Sequence, residues 1–178
     1  MMVVLIVPFL ALASVGLLLS LVAHGCAWLG VPQPLGMATW GLHLGIFVVW
    51  LPALLASGQM TRGAKREDAW RVALRGCPAW MRWMTSAFFV YAFFNFLLFF
   101  AAMAPAGEQA AEGDMPPAVF RGFSGHWMAF YSAALAMLYS SWIISSRGEP
   151  GGLVKKPDGV LQEGVTKNPM MWDRDLDA

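Results

Sequence analysis

Charged side chains are scarce in this chain, and none occurs before Arg62. Of the 178 residues, 13% are charged and 58% are hydrophobic, whereas a soluble domain carries about a quarter charged residues. Twelve Lys and Arg against eleven Asp and Glu leave a net charge of +1. This composition excludes a disordered chain and an ordinary water-soluble domain. The lack of a basic field argues against a nucleic-acid partner.

Four long apolar segments account for most of the chain. Each has about the twenty residues that a helix needs to cross a hydrocarbon core of roughly 30 Å, and none contains Asp, Glu, Lys or Arg. Backbone groups in hydrocarbon must be satisfied within the segment, so we expect helices. The predicted fold is an all-α, four-helix transmembrane bundle in a membrane domain at 1–145, with spans at 2–23, 38–57, 84–104 and 123–145.

The basic residues outside the spans predict the orientation of the bundle. They concentrate in the loop at 58–83 and in the tail at 146–178, whereas the other two connections carry only Arg121. The positive-inside rule places both basic segments, and therefore both termini, in the cytoplasm. Tryptophans near the ends of the spans agree with interfacial belts. The low Lys content and the absence of targeting signals are typical of a multi-pass protein of the bacterial inner membrane.

The basic loop at 58–83 predicts a short amphipathic helix on the cytoplasmic side. By helical spacing, Trp70 lies on an apolar face while Arg66, Arg71 and Arg75 are exposed. A basic helix with an aromatic face can lie on a membrane surface or receive a partner. It can equally serve only as the inside-positive signal that sets topology. The tail at 146–178 mixes Gly, Pro and both charge signs, so we expect it to be mostly disordered.

Several patterns that would indicate an enzyme are missing. Cys26 and Cys77 fall on opposite sides of the predicted membrane, so they cannot form a disulfide within one chain. No carboxylate lies within a span, which argues against a proton-coupled exporter. There is no nucleophile-elbow motif and no P-loop. The sequence therefore favours a protein without catalytic activity of its own.

Small and polar residues within the spans predict where the helices pack. Lipid provides no hydrophobic drive between helices, so close approach at small residues and interhelical hydrogen bonds gain importance. Asn95 lies near mid-depth of the third span, where its amide can bond Ser132 or Tyr131 as a packing contact or can line a substrate site. The residues expected at helix contacts are Gly41, Gly45, Gly125, Ala129 and Asn95.

All three histidines fall near the predicted outer ends of spans. His24, His43 and His126 lie within roughly 10 Å of one another in depth, at about 1.5 Å per residue. Histidine is the commonest metal ligand and a usual axial ligand of haem. One hypothesis is therefore a haem or transition-metal site formed by His43 and His126, with His24 as a third ligand or a supporting group. In the other, each ring simply bonds a carbonyl or a lipid headgroup.

Three functional hypotheses follow from these observations. The first is a small, non-catalytic accessory, assembly or regulatory subunit that associates with a membrane-protein partner or with copies of itself. The second is a b-type haem or metal-binding membrane protein that uses the histidines. The third is an oligomeric channel or carrier. In all three, the lipid bilayer is the first partner of the chain, and nucleic acid is not one.

Overall fold

A computed structural model describes residues 2–103 and 117–148, together with two short strands beyond them. Its elements are α1 (Met2–Leu29), a 3₁₀ helix (Gly36–Trp40), α2 (Gly41–Met60), α3 (Ala69–Ala73), α4 (Ala79–Met103), α5 (Pro117–Ser146), β1 (Val154–Lys155) and β2 (Leu161–Gln162). The strands pair in antiparallel register, with Val154 opposite Gln162. Most of the tail lies outside the described residues, so its disorder stays a prediction.

Four helices are long and apolar enough to cross a membrane, as the sequence predicts. The candidate spans cover residues 6–29, 36–60, 79–101 and 119–146. The all-helical class is confirmed and is that of a membrane-embedded protein, while the orientation stays a prediction. The first helix runs on to Leu29, past the predicted end at residue 23. It ends where Gly30 takes a φ of 64° and the Val31 N–H donates to the Cys26 carbonyl over 3.1 Å.

Helix α5 is the centre of the bundle. It packs against α1, α4 and α2, and α1 also packs on α2, whereas α4 packs chiefly on α5. In the most apolar stretch of each helix, 67% of the residues are buried in α5 but only 11% in α4. The structure is therefore three helices arranged around a fourth, with α2 and α4 on either side of an incompletely covered face of α5.

A tyrosine of α5 fixes the contact of that helix with α1 and α2. Tyr131 is 3% exposed, and its hydroxyl donates to the carbonyl of Leu42 over 2.8 Å. A Cβ on Gly16 or Gly45 would overlap the tyrosine, so these two glycines form the space that it fills. In lipid, where apolar burial adds little between helices, such close packing is the main source of affinity between them.

The connection between α2 and α4 folds back against the C-terminal half of α5. The helix within it, α3, has only five residues, fewer than the sequence suggests. Gly76 donates its N–H to the hydroxyl of Ser140 over 2.9 Å, and the thiol of Cys77 donates to the carbonyl of Ala136 over 3.0 Å. The connection therefore covers the end of the bundle core with a buried turn.

Burial makes Cys77 a poor nucleophile. It raises the pKa of the Cys77 thiol to about 12, so the group stays protonated at neutral pH. At pH 7.5 we expect a maleimide to label Cys26, which is half-buried, and to label Cys77 only after unfolding in detergent. Mass spectrometry of digested protein measures both sites. Rapid labelling of Cys77 in the folded protein would contradict the described packing.

The same shift predicts a loss of stability in alkali. In the unfolded chain the thiol ionises at its ordinary pKa, whereas in the folded protein it holds its proton until about pH 12. Its contribution to stability is therefore complete below the ordinary pKa and is lost as the pH rises through this interval. Comparison with Cys77→Ala, whose stability lacks this pH dependence, isolates the effect.

Candidate functional site

The three histidines lie at one end of the bundle, but they form two separate sites. His24 on α1 contacts Ser124 and Tyr91 of α5 and α4. His43 on α2 lies beside His126 on α5, with ring centroids 5.9 Å apart and ring planes 22° from parallel. The structure therefore brings together the two histidines that the sequence paired, and gives the third different neighbours.

His24 connects three helices through hydrogen bonds. The indole N–H of Trp28, which can only donate, lies 2.9 Å from His24 Nε2, so that nitrogen accepts. The indole N–H is shared with the Tyr91 oxygen, 3.0 Å away, and the Tyr91 hydroxyl donates to Nε2 over 2.5 Å. Nδ1 then carries the proton and donates to Ser124 Oγ over 2.7 Å, and Ser124 in turn donates to the carbonyl of Phe120 over 2.6 Å. Both ring nitrogens are thus used in holding α1, α4 and α5 together.

His43 and His126 lie on a groove that opens between α2 and α4. The groove has a volume of about 380 Å³ and is almost wholly apolar. Its residues, from α2, α4 and α5, are His43, Phe89, Ala92, Phe93, Phe96, Phe99, Gly122, Phe123, His126, Ala129 and Phe130. We call it the histidine groove. Its volume falls within the range of about 300–1,000 Å³ that small-molecule sites occupy.

The tautomer of His43 is set by a neighbouring tryptophan. Trp127, which is fully buried, donates its indole N–H to His43 Nδ1 over 3.1 Å. A nitrogen that accepts from this donor carries no proton, so in the neutral ring the proton is on Nε2. That Nε2 has no hydrogen-bond partner among the described residues, and the atom is accessible at the surface of the protein. His43 therefore offers a hydrogen-bond donor at the groove.

His126 is held by packing. Its ring lies 4.5 Å from that of Phe130, centroid to centroid, and among the described residues it has no hydrogen-bond partner. Its nitrogens are accessible, since neither is among the buried atoms that lack a partner. Polar groups without a partner are rare at membrane depth and are the default candidates for function. His126 thus adds a group that can accept or donate beside the donor of His43.

These hydrogen bonds bear on the haem or metal hypothesis. A neutral histidine that binds a metal through Nε2 carries its proton on Nδ1, and at His43 the Trp127 N–H occupies the Nδ1 lone pair. Both nitrogens of His24 are already bonded. Within the described part of the chain, no three His, Cys, Asp or Glu side chains are grouped to share a metal ion. Of the three histidines, His126 alone has a nitrogen lone pair to which no group of the described residues donates.

The residues predicted at helix contacts are placed in different surroundings. Gly45 lies against Tyr131, and Gly125 lies so close to Asn95 that a Cβ would overlap its amide. Ala129 is buried at the groove, whereas Gly41 has open space around it. Asn95 is buried, but its amide donates to the carbonyl of Arg121 over 2.6 Å and not to Ser132 or Tyr131. Its Oδ1 has no partner among the described residues.

The residues predicted to dock on a membrane surface or partner are mostly exposed. Trp70 is 40% exposed, with its ring 6.1 Å from that of Phe89. Arg66 is exposed, and Arg71 lies 3.9 Å from the carboxylate of Asp68, where both side chains are solvated. Arg75 is half-buried. An exposed ion pair of this kind is weak, so Arg71 can leave Asp68 and bind another anionic group, such as a lipid headgroup.

Sequence reasoning missed the groups that define both histidine sites. Tyr91, Ser124 and Trp28 complete the His24 network, and Trp127 orients His43, although its position suggests an interfacial residue. One signal was present in the sequence, because phenylalanines at 89, 93 and 96 follow helical spacing toward one face of α4. Such a stripe is equally typical of a lipid-facing surface, so the spacing alone does not distinguish the two.

Comparisons of this chain with protein-family models, with curated protein sequences and with solved structures find no match.

Proposed function

We propose that this protein is a non-catalytic integral membrane protein that binds a lipid-soluble ligand in the histidine groove. The observation that carries the proposal is an apolar groove of about 380 Å³ whose polar side chains are two accessible imidazoles. Ligand sites are typically apolar concavities with a few polar groups that fix orientation. The groove has this composition and a suitable size.

The location of the groove favours a ligand that comes from the bilayer. Its α4 wall is open to the surroundings of the bundle, since Phe93 and Phe96 are 61% and 47% exposed. In a membrane these side chains face lipid, and a molecule dissolved there reaches the groove sideways without crossing water. Phenylalanine rings provide apolar contact and edge-to-face geometry for such a molecule.

Ligand binding without catalysis fits the sequence-based proposal of an accessory or regulatory subunit. The groove holds no carboxylate, serine or cysteine among its lining residues, so the two imidazoles have no second group there to act with them in catalysis. We further propose residence in the bacterial inner membrane with both termini cytoplasmic, supported by the basic loop and tail. In that role, a membrane-protein partner would bind the protein differently when the groove contains a ligand and when it is empty.

Filling the groove is the direct test. Ala92 lines it from α4, and Ala92→Trp places an indole in the space. Protein labelled with ¹⁵N-histidine is placed in lipid nanodiscs, and decylbenzene is added as an apolar probe. In the parent protein we expect saturable shifts of the His43 and His126 resonances, with His24 unmoved as an internal reference. In Ala92→Trp these shifts disappear.

Ala87→Trp is the matched control. Ala87 is on the same helix, is exposed and does not line the groove. This variant adds the same side chain to α4 and should bind the probe as the parent protein does. Binding that is insensitive to Ala92→Trp, or shifts that never saturate for any apolar probe, would refute the proposed site.

The haem or metal hypothesis gives a different result in the same material. It predicts a Soret band or stoichiometric metal in protein purified in mild detergent, lost in His43→Ala or His126→Ala. The Trp127–His43 hydrogen bond disfavours it, because that bond leaves the proton on Nε2. Detection of either signal would replace ligand binding from the bilayer as the function of the groove.

A further inference from the structure

We infer that the ligand of the histidine groove is a lipid-soluble quinone, held by a hydrogen bond from His43 Nε2–H to a ring carbonyl. This inference rests on the proposed function and specifies its ligand. It depends on the fixed tautomer of His43, on the aromatic walls and on the depth of the two imidazoles.

The tautomer selects for a hydrogen-bond acceptor. Because Trp127 donates to Nδ1, neutral His43 presents Nε2–H, and a ligand placed there must bring an oxygen or nitrogen lone pair. A purely hydrocarbon ligand would leave this donor without a partner, which is costly in an apolar site. A carbonyl oxygen on an apolar body meets the requirement.

The walls select for a flat ring. Phenylalanines of α4 and α5 line the groove, and two of them, Phe89 and Phe130, contact each other with ring centroids 6.1 Å apart and ring planes 57° from parallel. Aromatic side chains favour offset-stacked or edge-to-face contact with another ring. A quinone head has a planar ring with carbonyl groups at its edge, and its isoprenoid tail can leave the groove toward lipid past Phe93 and Phe96.

Depth separates a quinone from the other abundant source of carbonyls, the phospholipid ester. The span that contains His43 begins at Gly36 and has 25 residues, about five more than a core of roughly 30 Å takes, so at roughly 1.5 Å per residue His43 lies about 7 Å below the edge of a centred core. On the same basis His126 lies about 5 Å below that edge, in the 28-residue span that begins at Val119. Ester groups remain at the membrane surface, whereas a quinone ring can enter the hydrocarbon region.

His126 extends the recognition to the reduced form. Its nitrogens are accessible and have no partner among the described residues, and the ring stacks against that of His43 with the two planes 22° from parallel. A ring nitrogen without a proton can accept from the hydroxyl of a quinol, while His43 still donates to the oxygen of that hydroxyl. The pair can therefore bind either oxidation state, and no electron transfer is required of this chain.

Two ligands with the same alkyl tail test the inference in the ¹⁵N-histidine nanodiscs. Decylbenzoquinone has carbonyl acceptors, and decylbenzene does not. We expect the quinone to bind about tenfold more tightly, the gain of roughly one neutral hydrogen bond. We also expect it to shift the His43 Nε2–H resonance downfield, whereas decylbenzene moves the ring signals without that change. Ala92→Trp should abolish the binding of both ligands, and Ala87→Trp should leave the binding of both unchanged.

The outcomes separate this inference from the function on which it depends. Equal affinities for the two ligands, or a His43 proton found on Nδ1, would overturn the quinone while leaving an apolar ligand site. The same holds if native mass spectrometry finds a phospholipid that the quinone does not displace. If neither ligand binds saturably, both the inference and the proposed function fail. The comparison of the two ligands is made on the parent protein, so it does not require a histidine variant that folds.

Discussion

Replacing Gly16 with alanine is expected to lower the free energy of unfolding by about 1–3 kcal/mol, the usual cost of overpacking. The new methyl group would overlap the ring of Tyr131, which cannot move away easily. Tyr131 is 3% exposed, and its hydroxyl lies against Gly45 and donates to the Leu42 carbonyl. The damage therefore falls on the contacts of α5 with α1 and α2 together.

Gly25→Ala is the matched control on the same helix. Apart from its chain neighbours and the nearby backbone of its own helix, no atom of the described residues lies within 4 Å of the position that its Cβ would take. Alanine there should be neutral or slightly stabilising, because glycine costs roughly 0.5–1 kcal/mol within a helix. Unfolding in mixed micelles by added dodecyl sulfate, followed by helical circular dichroism, measures both variants. Equal effects of the two substitutions would contradict the role assigned to Tyr131.

A double-mutant cycle identifies the partner of Gly16. Tyr131→Leu removes the ring that the new methyl group would meet, so in that background Gly16→Ala should cost much less than in the parent protein. The coupling energy measures how much of the loss comes from this one contact. A strictly additive result would place the cause elsewhere.

Replacing Gly76 with alanine is expected to loosen the turn that packs against the C-terminal half of α5 and to expose Cys77. The added Cβ would lie 2.7 Å from the carbonyl oxygen of Ser140, which belongs to the backbone of a buried helix and cannot yield. The turn must move, and the hydrogen bonds of Gly76 to Ser140 and of Cys77 to Ala136 are lost. We expect a destabilisation of about 1–3 kcal/mol.

Thiol labelling reports this opening directly. If local opening limits the reaction, that range corresponds to labelling of Cys77 by a maleimide roughly 5- to 150-fold faster than in the parent protein. Gly58→Ala is the control, since Gly58 is exposed on α2 with open space at its Cβ. Cys26 gives the reference rate within each sample. An unchanged rate at Cys77 in Gly76→Ala would show that the turn does not depend on this close approach.

The helical class and the four spans were predictable because they follow from length and polarity alone. About twenty apolar residues without a charge have few alternatives in lipid. The first span, predicted to stop at residue 23, continues as a helix to Leu29. In the structure His24 is buried, and both of its ring nitrogens are hydrogen-bonded. The imidazole is therefore compatible with a helix that continues through this position.

The arrangement of the site was less predictable because helix rotation is not encoded in hydropathy. The sequence placed His43 and His126 at one depth, and the structure brings them together. It gave no reason for His24 to turn toward Ser124, 100 positions along the chain. The partner of Asn95 was mistaken for a related reason, since its amide reaches the Arg121 carbonyl near the start of α5. These contacts depend on which face each helix turns toward α5.

The central position of α5 has a consequence for how the protein is made. Each of the other long helices packs mainly on α5, yet α5 is the last of the four to be synthesised. Until α5 enters the bilayer, α1 and α2 can pair with each other, but α4 lacks its main neighbour. The histidine groove is also incomplete, because α5 contributes many of its lining residues. The bundle can therefore assemble only once α5 is inserted. Before that step, the phenylalanines of α4 are exposed to lipid and can be bound by a membrane chaperone.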